Sequence, residues 1–203
     1  MTEKIIVGLT GNIATGKSTI MGMAKEEGAT TIDADKIVHE VYRDNESLKT
    51  QIGETFGPSV LHSDGHIHRT ALGAIVFNDA DAMKKLEAIV HPIVRAETAN
   101  RIANAPSKIV FVEAIKLLDG PLAETAHQIW VTTCSEQKQI VRLMVYRGMS
   151  EEDARQRVSA QAPQADKIAK ADVVILTNNR LSDTRDQFET AWDNLVKSIE
   201  PST

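Results

Sequence analysis

Gly11, Gly16, Lys17 and Ser18 stand at the spacing G-x-x-x-x-G-K-[ST] inside Gly8-Leu9-Thr10-Gly11-Asn12-Ile13-Ala14-Thr15-Gly16-Lys17-Ser18-Thr19. That chemistry is phosphate binding. Glycines let backbone N–H groups approach an anion at the positive end of a helix dipole. The lysine adds charge for the β- and γ-phosphates, and the serine hydroxyl suits Mg²⁺. From average residue usage the four fixed positions coincide by chance in roughly 4 of 100,000 windows. Ile5-Ile6-Val7, a β-branched run that reads as a buried strand, precedes the loop, and a helical pattern follows it.

Such a loop does not say whether its nucleotide switches, drives motion or phosphorylates something. A second group of residues bears on that. Thr31-Ile32-Asp33-Ala34-Asp35 carries two carboxylates where a strand passes into a helix. In a parallel sheet the carboxyl ends of neighbouring strands share one crevice, so Asp33 is placed to take a proton from an acceptor hydroxyl. Asp35 is the expected helix cap. Ile109-Val110-Phe111-Val112 ends in Glu113, which could sit near Mg²⁺, orient a water or pair with a lysine. Arg142 and Arg147 flank a polar segment and suit charge on a transferring phosphoryl group, whereas Arg155 and Arg157 read as solvated, with i,i+4 ion pairs. His62, His66 and His68, with only Asp64 beside them, fit no tetrahedral metal site and read as a solvated loop. Trp130 and Phe111 read as core.

The elements that must hold these residues alternate between short β-branched runs and longer helical patterns. Expected strands are Ile5–Leu9, Thr30–Ile32, Ile109–Val112, Ile129–Thr132 and Val173–Leu176. Apolar residues three and four apart (Ile37, Val38, Val41 and Tyr42; Met83, Leu86, Ile89 and Val90) mark helices between them. The class is therefore α/β, with a parallel five-stranded sheet. Residues 33–108 are too long for one crossover helix and predict a helical lobe, with a break at His91-Pro92 and turns at Gly57-Pro58 and Ser63-Asp64-Gly65. Ser150-Glu151-Glu152-Asp153 predicts a capped helix closed by Pro163, within a polar flap over residues 147–170.

The chain has 203 residues, 42% of them hydrophobic and 25% charged, as expected of one soluble domain. A net charge of −5 argues against a nucleic-acid-coating surface. One cysteine, Cys134, excludes an intrachain disulfide and suggests a reducing compartment. The polar start (Thr2, Glu3, Lys4) and the absence of any apolar run of about 20 residues point to a cytoplasmic protein without a signal peptide or membrane span. A monomer or weak oligomer is expected.

Taken together these residues resemble the dephospho-CoA kinase family nearly end to end. The resemblance rests on the loop over residues 8–19, on Asp33-Ala34-Asp35 with His39, and on Arg69, Leu72-Gly73, Val76-Phe77 and His91-Pro92. Arg142, Arg147, Gln161, Ala171-Asp172 and Asn178-Asn179 extend it towards the C-terminus. It implies a P-loop kinase core in a single domain over 1–203, with a helical acceptor-binding insert over about 34–106 and a lid over about 147–170. It also implies ATP·Mg²⁺ as donor and the ribose 3′-hydroxyl of dephospho-CoA as acceptor. Asp33 would be the base, Lys17 and Arg142 would stabilise charge, and Thr10 would neighbour the reacting phosphate. Gly11, Ala14, Thr15, Gly16, Lys17, Ser18, Thr19 and Arg147 would hold ATP, with Ser18 on the metal. Asp35, His39, Arg69 and His91 would contact the acceptor. Two positions depart from the family pattern. Glu113-Ala114-Ile115-Lys116-Leu117-Leu118-Asp119 replaces a Pro-Leu-Leu run, and Arg180 stands where a glycine often follows Asn178-Asn179. Two other functions remain compatible with the loop: a kinase of another small acceptor such as a nucleoside monophosphate, and a non-catalytic nucleotide-binding regulatory module. A guanine-reading switch would need an Asn-Lys-x-Asp element, and Asn178-Asn179 lacks its lysine and aspartate.

Overall fold

The computed structural model describes residues 4–115, 117–120 and 122–199. The polar start at residues 1–3 and Lys116 of the divergent stretch lie outside them. The chain divides into two compact units, residues 1–32 with 105–203 and residues 33–104.

The first unit is built on a five-stranded parallel sheet of order β2-β3-β1-β4-β5. Its strands are β1 (Ile5–Thr10), β2 (Thr30–Asp33), β3 (Ile109–Glu113), β4 (Gln128–Thr133) and β5 (Val173–Leu176). Central strands of such a sheet are buried on both faces, and Val110, Phe111 and Val112 are accordingly all fully buried. The strands fall where the β-branched runs predict them, but β1, β2 and β3 each run one residue further, through Thr10, Asp33 and Glu113, and β4 gains a residue at each end, Gln128 and Thr133. The ladder thus continues past the last apolar residue and holds the polar one in extended backbone: Leu9 pairs with Glu113 across β1 and β3.

Helices α1 (Lys17–Glu26) and α10 (Leu181–Ile199) cover one face of this sheet. Ile20 and Met23 from α1 and Phe188 and Leu195 from α10 pack on Val7, Leu9, Phe111, Trp130 and Ile175. Trp130 meets Phe111 edge-on at 5.2 Å and Phe188 at 5.9 Å, as expected of core aromatics. Between β4 and β5 come α7 (Glu136–Arg147), α8 (Glu151–Ser159) and α9 (Gln164–Ile168). Ser150 caps α8 by accepting from the Asp153 N–H at 3.1 Å, as its sequence predicts, but α8 ends at Ser159, before Pro163, which instead occupies the N-cap position of α9 with no side-chain bond.

The second unit is helical: α2 (Ala34–Asp44), α3 (Glu46–Phe56), a 3-10 turn at Pro58–Val60, α4 (Arg69–Val76) and α5 (Ala80–Ala103). A short helix, α6 (Leu122–Thr125), belongs to the first unit. α5 packs on α2, α3 and α4, and its Arg101 spans Glu97 at 2.8 Å and Glu40 on α2 at 2.6 Å. The break expected at His91-Pro92 does not occur, because α5 continues through Pro92. An interior proline forfeits one helix hydrogen bond and costs about 3 kcal/mol in an isolated helix. Burial of Leu86 and Val90 before it and Thr98 after it ties both halves of α5 into the unit and outweighs that local cost.

Candidate active site

The loop between β1 and α1 begins at a point where only glycine fits. A Cβ on Gly11 would lie 2.5 Å from the Thr132 carbonyl oxygen and 2.7 Å from Thr15 Oγ1. Gly16 closes the loop in the left-handed region (φ 93°) as the N-cap of α1, and no side chain caps that helix. Neighbouring helices differ: Asp33, Asn45, His68 and Asp79 fill the same position on α2, α3, α4 and α5. With no side-chain cap, the Lys17 and Ser18 N–H groups at the start of α1, with the helix dipole behind them, suit an external anion, while the Thr19 N–H turns back to the Gly16 carbonyl at 3.0 Å.

Lys17, the first residue of α1, is only 8% exposed. Its ammonium donates to the carbonyls of Gly11 (3.1 Å) and Asn12 (3.3 Å) and lies 3.9 Å from Glu113 Oε1. Of the roles open to Glu113, pairing with a lysine is therefore the one this geometry displays. Ser18 is exposed next to Lys17. Thr15 is fully buried, its hydroxyl between the Asn12 carbonyl and Thr132 Oγ1, both at 2.8 Å. Thr10 is also fully buried, and its hydroxyl donates to the Ile115 carbonyl at 3.2 Å.

Arg142 reaches the loop from α7. Its guanidinium donates to the Ala14 carbonyl (2.9 Å), to Thr177 Oγ1 (2.9 Å) and to the Thr177 carbonyl (2.6 Å). Ala14 is the single non-glycine residue with positive φ (58°) among those described. A side chain there is strained, and an arginine on its carbonyl holds the conformation in place. Thr177 completes the arrangement by donating to the Thr15 carbonyl at 2.8 Å. Sequence reading missed Thr177. It directly follows β5, so the rule that singled out Asp33 and Glu113, a polar residue at a strand's carboxyl end, would also have found it. Thr177→Val keeps the shape but strands the Thr15 carbonyl and one arginine N–H. We expect it to cost about 1–3 kcal/mol and to lower Tm by several degrees in a thermal melt; an unchanged Tm would show that the hydroxyl does not fasten the loop.

Cys134, at the end of β4, packs its thiol near Arg142 (3.6 Å). Burial pushes the thiol pKa up, with Arg142 partly opposing. Arg147 ends α7 and is exposed, while Arg155 pairs with Glu151 at i,i+4, as expected. Arg180 sits in backbone with no positive φ, so the turn after β5 needs no glycine there. Asn178 shapes the same turn by accepting from the Ser135 N–H at 2.8 Å.

In the second unit the cap expected of Asp35 is made by Asp33, whose Oδ1 accepts from the Lys36 N–H at 2.9 Å. The ladder extends to Asp33, which makes that residue, and not Asp35, the last before helical backbone; Asp35 falls in the first turn. Asp33 is exposed, and its second carboxylate oxygen takes no hydrogen bond among the described residues. His39 and Arg69 come together, Nδ1 to guanidinium at 3.0 Å, with Arg69 5.5 Å above the Tyr42 ring. Burial raises the Tyr42 pKa and Arg69 opposes it. His91 is exposed on α5. The His62 and His68 rings meet at a tilt of 53° with centroids 4.3 Å apart, and His68 Nδ1 caps α4. Among the described residues no three His, Cys, Asp or Glu side chains gather as a metal site, and no helix is long and apolar enough to cross a membrane.

The family model for dephospho-CoA kinase matches residues 5–183. A dephospho-CoA kinase of Geobacillus kaustophilus is 39% identical over 95% of this chain and 99% of its own. A solved structure from Thermus thermophilus covers 98% of this chain and 100% of its own, with TM-score 0.79 and 28% identity. The dephospho-CoA kinase of Campylobacter jejuni covers 96% and 98%, with TM-score 0.69 and 28% identity.

Proposed function

This chain belongs to the dephospho-CoA kinase family, and on that premise we propose that it transfers the γ-phosphoryl group of ATP to the ribose 3′-hydroxyl of dephospho-CoA, giving coenzyme A and ADP in the cytoplasm. The observation that carries the donor half is the uncapped N-terminus of α1 behind Gly11, Gly16 and Lys17. Family membership carries the acceptor.

In this reading ATP is held by Gly11, Ala14, Thr15, Gly16, Lys17, Ser18 and Thr19, with the N–H groups of Gly16, Lys17 and Ser18 turned to the phosphates, and the Lys17 ammonium exchanges the Gly11 and Asn12 carbonyls for phosphate oxygens. Asp33 accepts the proton as the 3′-oxygen bonds to phosphorus and the bond from phosphorus to the ADP oxygen breaks. Asp33 ends a strand of the same parallel sheet whose β1 leads into the loop, and it retains a carboxylate oxygen beyond its cap bond. Arg142 holds the loop through Ala14 and stands at the transferring charge, Arg147 reaches the nucleotide from a lid over residues 147–170, and Thr10 backs the reacting phosphate. The helical unit takes the acceptor through Asp35, His39, Arg69 and His91.

A magnesium ion arriving with the nucleotide fits the residues present. Ser18 offers an exposed hydroxyl, and the lack of an all-protein carboxylate cage among the described residues suits an ion that keeps water and phosphate oxygens as ligands. When bound it neutralises charge on the phosphates.

The test is coupled ADP release. Turnover should depend on dephospho-CoA and yield coenzyme A. Turnover that instead requires a nucleoside monophosphate, or ATP binding with no transfer to either acceptor, would replace this reading with one of the two other functions compatible with the loop.

A further inference from the structure

The segment that follows α8 is fastened to the front of the phosphate loop by side-chain amides. The Ile13 N–H donates to Gln161 Oε1 at 2.8 Å, and the Asn12 N–H to Gln164 Oε1 at 3.0 Å. The other half of the same Gln164 amide donates to the Thr132 carbonyl at 2.9 Å. Asn12 answers with its own side chain, Nδ2 donating to the Ala162 carbonyl (3.2 Å) and Oδ1 accepting from Lys167 (2.7 Å). Its carbonyl meanwhile faces inward, accepting from Thr15 Oγ1 and from Lys17.

Two features make this more than surface packing. First, β1 and β4 pair in parallel register as far as Thr10 opposite Val131, beyond which the chains separate to form the loop. The Gln164 carboxamide enters that gap as a substitute peptide unit, accepting from one chain and donating to the other. Second, Asn12 is 6% exposed and spends its N–H and both side-chain polar atoms outward on residues 162–167 and its carbonyl inward on the loop. A shift of the 161–167 segment therefore moves Asn12, and with it the carbonyl that Thr15 and Lys17 share.

We propose that Gln164 and Asn12 are positioning residues for phosphoryl transfer. They couple the segment after α8 to the phosphate loop and preset the loop for ATP. The proposal rests on the reading of the loop as an ATP site and of residues 147–170 as its lid. Neither residue touches reacting atoms in this reading; both act through the backbone of residues 12–17. The apolar side of α8 acts in concert, since Ala154 and Val158 pack with Ile140 and Leu143 against Ile13 and Ala14.

The test uses the full-length protein and ATP. Gln164→Ala, Asn12→Ala and the double variant are compared for ATP affinity by calorimetry, for KM and kcat with dephospho-CoA, and for Tm without ligand. Each single change removes two hydrogen bonds, and we expect ATP affinity to fall about tenfold, with KM for ATP rising in parallel and kcat within about threefold of the parent. Asn12→Ala keeps the backbone N–H that bonds Gln164, but both changes release the same attachment of residues 162–167 to Asn12, so the double variant should lose far less than the product of the singles. Gln164→Glu keeps an acceptor for the Asn12 N–H but sets a carboxylate oxygen against the Thr132 carbonyl and a charge beside the phosphate loop, so its affinity should fall at least as far as that of Gln164→Ala.

A merely structural role would lower Tm and the active fraction and leave KM for ATP unmoved. That result, or ATP affinity unchanged in Gln164→Ala, would overturn the proposal, as would strictly multiplicative losses in the double variant. ATP binding by the parent with no transfer to dephospho-CoA would refute the acceptor alone, since the coupling is read in ATP affinity. A parent that binds no ATP would refute both.

Discussion

Lys17→Ala is expected to lower kcat for phosphoryl transfer by at least about 10²–10³-fold, the usual cost of removing one preorganised charge stabiliser from a transition state. The structure adds a second, smaller effect. In the free protein the Lys17 ammonium is a loop staple, bonded to the Gly11 and Asn12 carbonyls and 3.9 Å from Glu113. Deleting it should lower stability by about 1–2 kcal/mol, a few degrees in Tm, without unfolding the domain. The sequence alone makes Lys17 a loop residue facing the ligand, whose loss leaves the fold intact. Lys17→Arg should not restore turnover, because a planar fork cannot stand in for a compact ammonium inside a buried loop. Turnover within tenfold of the parent in Lys17→Ala would remove Lys17 from the chemistry. Loss of the folded baseline would assign it to structure.

Asp33→Asn tests the acceptor side of the mechanism. Asparagine caps a helix as well as aspartate does, so the bond from the Lys36 N–H survives and α2 should keep its stability. Asparagine cannot take a proton at neutral pH. Removal of a general base costs about 10²–10⁴ in rate, roughly 3–5 kcal/mol. Phosphoryl transfer leans on positioning more than on deprotonation, so a loss near 10² agrees with the role. The measurements are kcat with dephospho-CoA, ATP affinity and Tm, each taken separately. Asp33→Ala serves as the contrast and should lose the same rate plus about 1 kcal/mol of stability, because it also removes the cap. Near-normal turnover in Asp33→Asn would leave Asp33 as a cap alone. Weakened ATP binding with unchanged turnover would make it a nucleotide or metal contact.

Much of this protein is legible without coordinates, for local reasons. The five strands are short β-branched runs, and such residues favour a pleated, buried surface whatever their partners. The phosphate loop declares itself because Gly11 and Gly16 are demanded by close approach and by a left-handed φ, and no other residue type serves as well. The cap of α8 is a contact between residues three apart, also visible in a line of letters.

What the sequence left open depends on contacts across long separations or on the sum of burial over a whole element. Pro92 reads as a helix break, and only the packing of both halves of α5 decides that the helix continues. Asp33 and Asp35 look alike to a cap rule, and the ladder that carries β2 one residue further decides between them. The bonds that hold the loop join Arg142 to Ala14, Thr177 to Thr15 and Gln164 to Asn12. No periodicity or spacing relates those pairs, because the parallel topology that brings them together closes over more than a hundred residues of intervening chain. The sequence thus determined which residues could bind a phosphate. Tertiary structure decided which carbonyls, amides and hydroxyls hold that site in shape, because hydrogen bonds depend on distances that only the folded chain sets.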